Sequence, residues 1–299
     1  MTDVLERYRE GALLVRRDEL AAAVVRGPDR VRWLNGMVST DVAKVIPGHA
    51  LFGLAVGRTG KILAEVVMLA RSDELVLLMH RDVRDAIVGH LDRHLIMDDA
   101  TVGALDGVRA VQVIGAATPG ELERLRSERV GDAHAEVLTS AGNDGFFLLE
   151  RNVALQGELD GDGPEAESLR VARGLPRFRV DFDENHYAQE ALLEKSHVAF
   201  DKGCYLGQEV VCMLELRGHA KRKLVLVELD ESLAPGTEVK SPEGAMLGAL
   251  AGSVAHLVSP GKFLAFAMVK VSFADVGRVL RIGDTEAVVV APLLVGAGA

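Results

Sequence analysis

Three apolar runs, 51–56, 62–70 and 74–79, follow one another across two short turns, Gly57-Arg58-Thr59-Gly60 and Arg71-Ser72-Asp73. Turns of three or four residues cannot hold a crossover helix, so these runs are expected to pair as an antiparallel meander. An amphipathic stretch follows at 82–95, with Val83, Ile87, Leu91 and Leu95 on one face. With a further run at 102–105, the region reads as a small α+β unit.

Both flanks alternate between strands and helices. Residues 21–25 read as a strand, and Asp29 caps a short helix over 30–37 that gathers Trp33, Leu34 and Met37 on one side. Trp33, the single tryptophan, is read as a core anchor. Ser39, Thr40 and Asp41 form a polar turn after that helix. Residues 108–114 read as another strand, and Thr118-Pro119 starts a helix running over 121–130. Strands at 135–139 and 146–150 form a hairpin across Gly142-Asn143-Asp144-Gly145. A helix begins at Gly161-Asp162-Gly163-Pro164 and stops at Gly174, with Pro176 beyond it. Asp181 to Asn185 is an acidic loop, read as a solvated face and not as a metal site. From Lys223 onward, apolar strands at 224–229, 245–258, 263–269, 279–282 and 287–290 alternate with Pro/Gly turns, as in a compact β-barrel or sandwich.

A chain of 299 residues has room for two or three domains, and 48% apolar with 26% charged residues is a globular composition. A formal net charge of −10 argues against non-specific nucleic-acid binding, which needs clustered cations. The local exception is the basic knot Arg217, His219, Lys221, Arg222 and Lys223, either a solvated strand entry or a dock for an anionic tail. Cys204 and Cys212 cannot build a disulfide framework and do not have zinc spacing, which suits a reduced, cytoplasmic setting. The charged start MTDVLERYRE has no apolar signal core. The uncharged stretch 287–299 is shorter than the ~20 residues that a membrane helix needs.

The densest chemistry lies in Lys202-Gly203-Cys204-Tyr205-Leu206-Gly207-Gln208-Glu209. A core has no use for this mixture, since each buried polar group left unpaired costs roughly 1–3 kcal/mol. Gly203 and Gly207 offer positive φ and close backbone approach to a ligand. Val210, Val211, Met213 and Leu214 then read as a short helix whose first turn holds Gln208 and Glu209, with free N–H groups suited to anions or ligand carbonyls. Lys202 and that helix start would favour a Cys204 thiolate; the alternative is a packed, inert thiol beside a solvated lysine. Cys212 reads as a packing residue. Tyr205 could stack on a ring, and Glu209 could receive an N–H group or pair with Lys202. Arg217 suits bidentate carboxylate binding. Walker, G-x-G-x-x-G, G-x-S-x-G and H-E-x-x-H patterns are all missing from the sequence.

This octapeptide resembles the signature of the YgfZ family, folate-binding relatives of the glycine-cleavage aminomethyltransferase, or T-protein. The likeness extends to Arg32-Trp33-Leu34-Asn35-Gly36-Met37-Val38-Ser39-Thr40-Asp41-Val42, to Gly60-Lys61-Ile62, to Leu169-Arg170-Val171-Ala172-Arg173-Gly174-Leu175-Pro176 and to Glu190. It implies an α+β fold of three domains in a cloverleaf around a central channel, with a C-terminal β-barrel. The expected division is 1–47 with 106–220, an inserted 48–105, and 221–299. It also implies tetrahydrofolate or a one-carbon derivative as cofactor, bound by Ser39, Thr40, Asp41, Asn143, Glu190, Lys202, Gly203, Tyr205, Gly207, Gln208, Glu209 and Arg217. Cys204 and Asp85 are the implied catalytic residues, although Asp85 also reads as an ordinary first-turn carboxylate favoured by a helix dipole.

Two departures from the pattern matter. Asn143 stands where the aminomethyltransferases carry a glutamate, and Met213 stands where relatives carry an arginine. Both argue against copying the enzyme's mechanism wholesale. The resemblance therefore implies a tetrahydrofolate-binding protein that supports iron–sulfur enzyme assembly or repair and tRNA modification. Iron–sulfur proteins are its implied partners, with no direct nucleic-acid binding and no membrane. The alternatives are a folate-dependent aminomethyltransferase or demethylase and a folate-independent thiol scaffold.

Overall fold

The structure, a computed structural model, describes residues 2–218 and 220–294. Helix α1 (Thr2–Glu10) leads into strands β1 (Leu13–Arg17) and β2 (Leu20–Arg26), then α2 (Arg30–Asn35). A short β3 (Gly48–His49) precedes the meander β4 (Leu51–Val56), β5 (Ile62–Ala70) and β6 (Glu74–His80). Then come α3 (Arg81–Asp92), β7 (Thr101–Leu105), β8 (Val108–Ile114), α4 (Thr118–Ser127), β9 (Asp132–Thr139) and β10 (Gly142–Glu150). A short β11 (Leu159–Asp160), α5 (Pro164–Ala172), α6 (Glu194–His197) and α7 (Gln208–Arg217) complete the part before the barrel. The barrel strands are β12 (Arg222–Leu229), β13 (Glu238–Lys240), β14 (Met246–Ala255), β15 (Phe263–Lys270), β16 (Val279–Ile282) and β17 (Thr285–Val290).

The meander forms as its turns require, with β4 antiparallel to β5 and β5 antiparallel to β6. Its sheet is completed by β2 and β7 in the order β4-β5-β6-β2-β7. Strand β2 joins this sheet from within 1–47, hydrogen-bonding along its length with β6 and, over Ala22–Arg26, with β7. The other sheet runs β11-β1-β8-β10-β9-β3, and β12 to β17 close a six-stranded barrel. The barrel interior is filled by aliphatic side chains such as Val227, Val239, Leu250, Leu280 and Ile282. Strand β13, which closes it, has only three residues, too short a run for alternation to register.

The sequence reading needs correction at several boundaries. Helix α1 and strand β1 were not anticipated, and α2 stops at Asn35, short of Met37. Asp29 gives no side-chain cap to α2. Its Oδ2 instead accepts the Asp99 N–H at 2.9 Å and pairs with Arg32 at 3.0 Å, tying α2 to the segment before β7. Gly142 to Gly145 are not a turn but the start of β10, and the hairpin turns at Ser140-Ala141. Thr139 sets that tight reversal: its Oγ1 donates to the Gly142 carbonyl at 2.7 Å and accepts the Ala141 N–H at 3.2 Å. Asn143 and Asp144 are thereby placed on a strand, so their side chains leave opposite faces. Trp33 is buried as expected.

Candidate functional site

The two sheets, α5 and the segment through α6 enclose a cavity of about 690 Å3. That is inside the ~300–1,000 Å3 range of small-molecule sites. Its apolar walls include Leu51 and Phe52 of β4, Val67 of β5, Leu78 of β6, Phe146 of β10 and Phe178. The polar lining comes from charged side chains that alternation and helical spacing aim inward from otherwise apolar elements.

On one side Arg17, Gln112, Asp144 and Arg173 form a continuous chain. Arg17 donates to Gln112, the Gln112 amide donates to Asp144 Oδ2 at 2.5 Å, and Arg173 pairs with Asp144 Oδ1. Side-chain exposures of 1% for Asp144 and 3% for Arg173 make this a buried ion pair. Burial alone would push the Arg173 pKa down, but the charge and hydrogen bond of Asp144 raise it. On the other side, Arg17 Nε donates to Glu19 at 2.5 Å, and Arg177 lies 3.2 Å from Glu167 and 3.9 Å from Glu19. Arg170 pairs with Glu167 at 2.9 Å and with Asp181 at 2.5 Å. Burial raises the Asp181 pKa despite Arg170, and Asp181 also accepts the Arg177 N–H, so one residue of the acidic loop is an interior anchor. Among the described residues, three buried atoms around this lining have no protein partner: Glu19 Oε2, Arg173 Nε and Arg177 Nε.

A third cluster sits by α6. His197 stacks on Phe52 at 4.8 Å, its Nε2 lies 3.1 Å from Glu65 Oε1, and its Nδ1 lies 2.7 Å from Ser196 Oγ. All four residues line the cavity.

Among the described residues anticipated for cofactor binding, Asn143 alone lines this cavity; its Nδ2 donates to Glu136 at 3.2 Å. Ser39 is fully buried and spends its hydroxyl structurally. Its Oγ donates to the His197 carbonyl at 2.6 Å and accepts the Leu54 N–H at 2.8 Å. Thr40 is buried, and Asp41 caps the following short turn by accepting the Ala43 N–H. Lys202 is half-buried and engaged within the fold. Its ammonium donates to the carbonyls of Asn35, Val38 and Thr40 at 2.6, 2.9 and 2.7 Å, which uses all three protons. Burial lowers its pKa to about 8, with Asp41 opposing.

Tyr205 packs in the core around β4 and β5, with its ring under the Lys202 ammonium at 5.1 Å and its hydroxyl without a protein partner. Burial, then the neighbouring Cys212, raises its pKa. Gly207 has the positive φ expected of it, +80°, and a Cβ there would lie 2.3 Å from the Gly57 carbonyl oxygen. The close approach is therefore to backbone. Gly203 has no positive φ, and a Cβ there would meet open space. Gln208 and Glu209 occupy the first turn of α7, and Glu209 is exposed. Glu190 is buried against Arg222 at 3.2 Å, a clasp between α6's approach and the barrel. The side chain of Arg217, like His219, lies outside the described residues. Cys204 is a free, exposed thiol, while Cys212 is half-buried with its pKa raised by burial and by Glu215. Asp85 is 83% exposed on α3, bonded to Arg84 and away from the cavity lining.

The cavity's own polar residues were missed, although some stood within quoted stretches. Arg170 and Arg173 belong to the string ending α5, and Asp144 follows Asn143. Their signal was charge at helical or strand positions facing inward, which is visible only once partners are known. Among the described residues no cluster of three or more His, Cys, Asp or Glu could hold a metal ion, and no helix is long and apolar enough to cross a membrane.

A mixed six-stranded sheet and an antiparallel five-stranded sheet about one cavity, followed by a terminal barrel, make an aminomethyltransferase fold. The chain matches the glycine cleavage system aminomethyltransferase T from Bartonella henselae with a TM-score of 0.80 over 98% of this chain and 89% of that one, at 16% identity. In sequence it is related to proteins named tRNA-modifying protein YgfZ. It is 26% identical over 239 residues to that of Enterobacter sp. (strain 638), covering 74% of this chain and 73% of the relative. The protein from Klebsiella pneumoniae (strain 342) is 25% identical over 228 residues, covering 71% and 70%. No family model matches the chain. The resemblance carried by the octapeptide and its companion motifs thus stands, and so does the fold it implied.

Proposed function

We propose that this protein binds a tetrahydrofolate in the 690 Å3 cavity and, through it, supports iron–sulfur enzyme assembly or repair and tRNA modification in the cytoplasm. The observation that carries the reading is the set of buried, unpartnered polar atoms around the cavity lining: Glu19 Oε2, Arg173 Nε and Arg177 Nε. Buried polar atoms are ordinarily satisfied, and an acceptor with two donors matches the mixed N–H and carbonyl edge of a pterin. Phe52 and Phe178 supply aromatic faces. Lys195, exposed at the cavity, supplies a cation toward a glutamate carboxylate. A bound folate would supply one-carbon chemistry; the chain's part is to hold and orient it.

The exposed Cys204 is outside that lining, which favours a role toward a protein partner over one at the folate. The division 1–47 with 106–220, 48–105 and 221–299 belongs to the same proposal. The test is calorimetric titration with tetrahydrofolate. Micromolar binding that weakens at least tenfold in Glu19→Gln is expected, and no heat at millimolar ligand refutes it. In cells lacking the protein, iron–sulfur enzyme activities and modified tRNA nucleosides should fall, and Cys204→Ser should fail to restore them. The aminomethyltransferase reading through Asp85 has no geometric support, because that carboxylate is exposed and paired with Arg84.

A further inference from the structure

We propose that Ser196, His197 and Glu65 form an acid–base relay opening into the cavity, so that the site moves a proton on its ligand as well as holding it. The three groups are in line: Ser196 Oγ to His197 Nδ1 at 2.7 Å, and His197 Nε2 to Glu65 Oε1 at 3.1 Å. A hydroxyl, a base and a carboxylate that orients the base are the arrangement by which side chains are activated for proton transfer. The imidazole is 6% and the carboxylate 20% exposed, so their interaction is sheltered from solvent, whereas Ser196 is exposed to the cavity.

The surrounding structure fixes the ring. Phe52 stacks on it with planes 27° apart, and Ser39 Oγ holds the His197 carbonyl at 2.6 Å. The approach to α6 passes through Leu192, a non-glycine residue at φ +64° that also lines the cavity; such backbone strain gathers at functional sites. Few other charges bear on the ring. β4 brings none, β5 brings Glu65 alone, α6 brings Glu194 and Lys195 beside it, and the 39–41 turn brings Asp41. Across the cavity stand Arg17, Glu19, His80, Asp144, Glu167, Arg170, Arg173 and Arg177.

In the neutral relay the Nε2–H donates to Glu65, and Nδ1 accepts the Ser196 hydroxyl. An ammonium or acidic N–H of the ligand gives its proton to Ser196 Oγ while the hydroxyl proton passes to Nδ1. The products are the deprotonated ligand and an imidazolium held between Ser196 and Glu65, and the reverse transfer restores both. The relay takes a ligand that carries an ammonium or acidic N–H group, and taking that ligand to be a folate rests on the function proposed above.

Two measurements separate the relay from that reading. Nitrogen-15 spectra of His197 in the whole protein at pH 8 should show the Nε2–H tautomer with a bare Nδ1, and Glu65→Gln should give a mixture of tautomers. An Nδ1–H tautomer, or one indifferent to Glu65→Gln, overturns the relay whatever binds. Titration with tetrahydrofolate in two buffers of different ionisation enthalpy counts protons exchanged per bound ligand. The wild type should exchange protons with the buffer on binding the ligand, and His197→Gln should exchange fewer at saturation. Equal counts overturn the relay, while complete loss of binding in the wild type overturns the folate reading and leaves the tautomer to decide the relay.

Discussion

Replacing Asp144 with asparagine isolates what holds the cavity wall together. Arg173 is 3% exposed, and among the described residues Asp144 is its one carboxylate partner. It also makes a long hydrogen bond to Thr139 Oγ1 at 3.4 Å and interacts with Tyr8, whose ring lies 5.6 Å away. Its Nε has no protein partner even with Asp144 present. Removing the counter-charge leaves a buried guanidinium uncompensated, which destabilises by about 3–5 kcal/mol. At about 2–4 °C per kcal/mol for a fold unit of 150–250 residues, the melting midpoint should fall by roughly 6–20 °C.

The double variant Asp144→Asn with Arg173→Met removes the orphaned charge too, so it should recover most of the loss, giving a strongly non-additive cycle. Thermal melts and urea titrations of the four proteins measure this directly. A loss below about 1 kcal/mol in the single variant, or a double equal to the sum of the singles, would refute the reasoning, because the pair would then behave like an exposed one.

Lys202→Met should strip donors from the carbonyls of Asn35, Val38 and Thr40. Each orphaned carbonyl is worth about 1–3 kcal/mol, and hydrogen exchange over 36–41 should accelerate. Because burial holds the Lys202 pKa at about 8, below its ordinary 10.5, the unfolded chain binds more protons between those values. The wild type should therefore gain stability over Lys202→Met as pH rises from 8 to 10.5, and lose that gain as pH falls through 8. Gly207→Ala forces a Cβ to 2.3 Å from the Gly57 carbonyl oxygen at φ +80°. It should cost at least the ~1–2 kcal/mol of a left-handed residue, whereas Gly203→Ala, which meets open space, should shift the melt within about 0.5 kcal/mol. A disulfide exchange reagent near neutral pH should modify the exposed Cys204 first and Cys212 slowly, since Cys212 is half-buried with a raised pKa. Cys204→Ser should leave only the slow phase.

Local pattern made much of the fold legible. The runs 51–56 and 62–70 coincide with β4 and β5, and 108–114 with β8, because short turns and continuous apolar runs specify antiparallel pairing without outside help. Helix α5 and its stop at Gly174, where φ is +69°, followed from Pro and Gly at their preferred places. The two-residue pairing of β3 with β9 and of β11 with β1 did not, since two residues have no period. The hairpin turn was misplaced because a Gly-Asn-Asp-Gly string satisfies turn chemistry as well as Ser140-Ala141 does. Thr139's two hydrogen bonds decided between them.

Sequence alone determined the longer elements of the meander and of α5, the barrel's location and the kinship carried by the stretch around Cys204, because these depend on neighbours within a few positions. Tertiary structure decided which polar residues face one space. Lys202 found three carbonyls more than 160 positions away and became a structural clasp. Glu65 and His197, 132 positions apart, became partners at the cavity. A side chain's chemistry depends on what surrounds it, and for these residues the surroundings are assembled from distant segments only when the sheets and α6 close on one another.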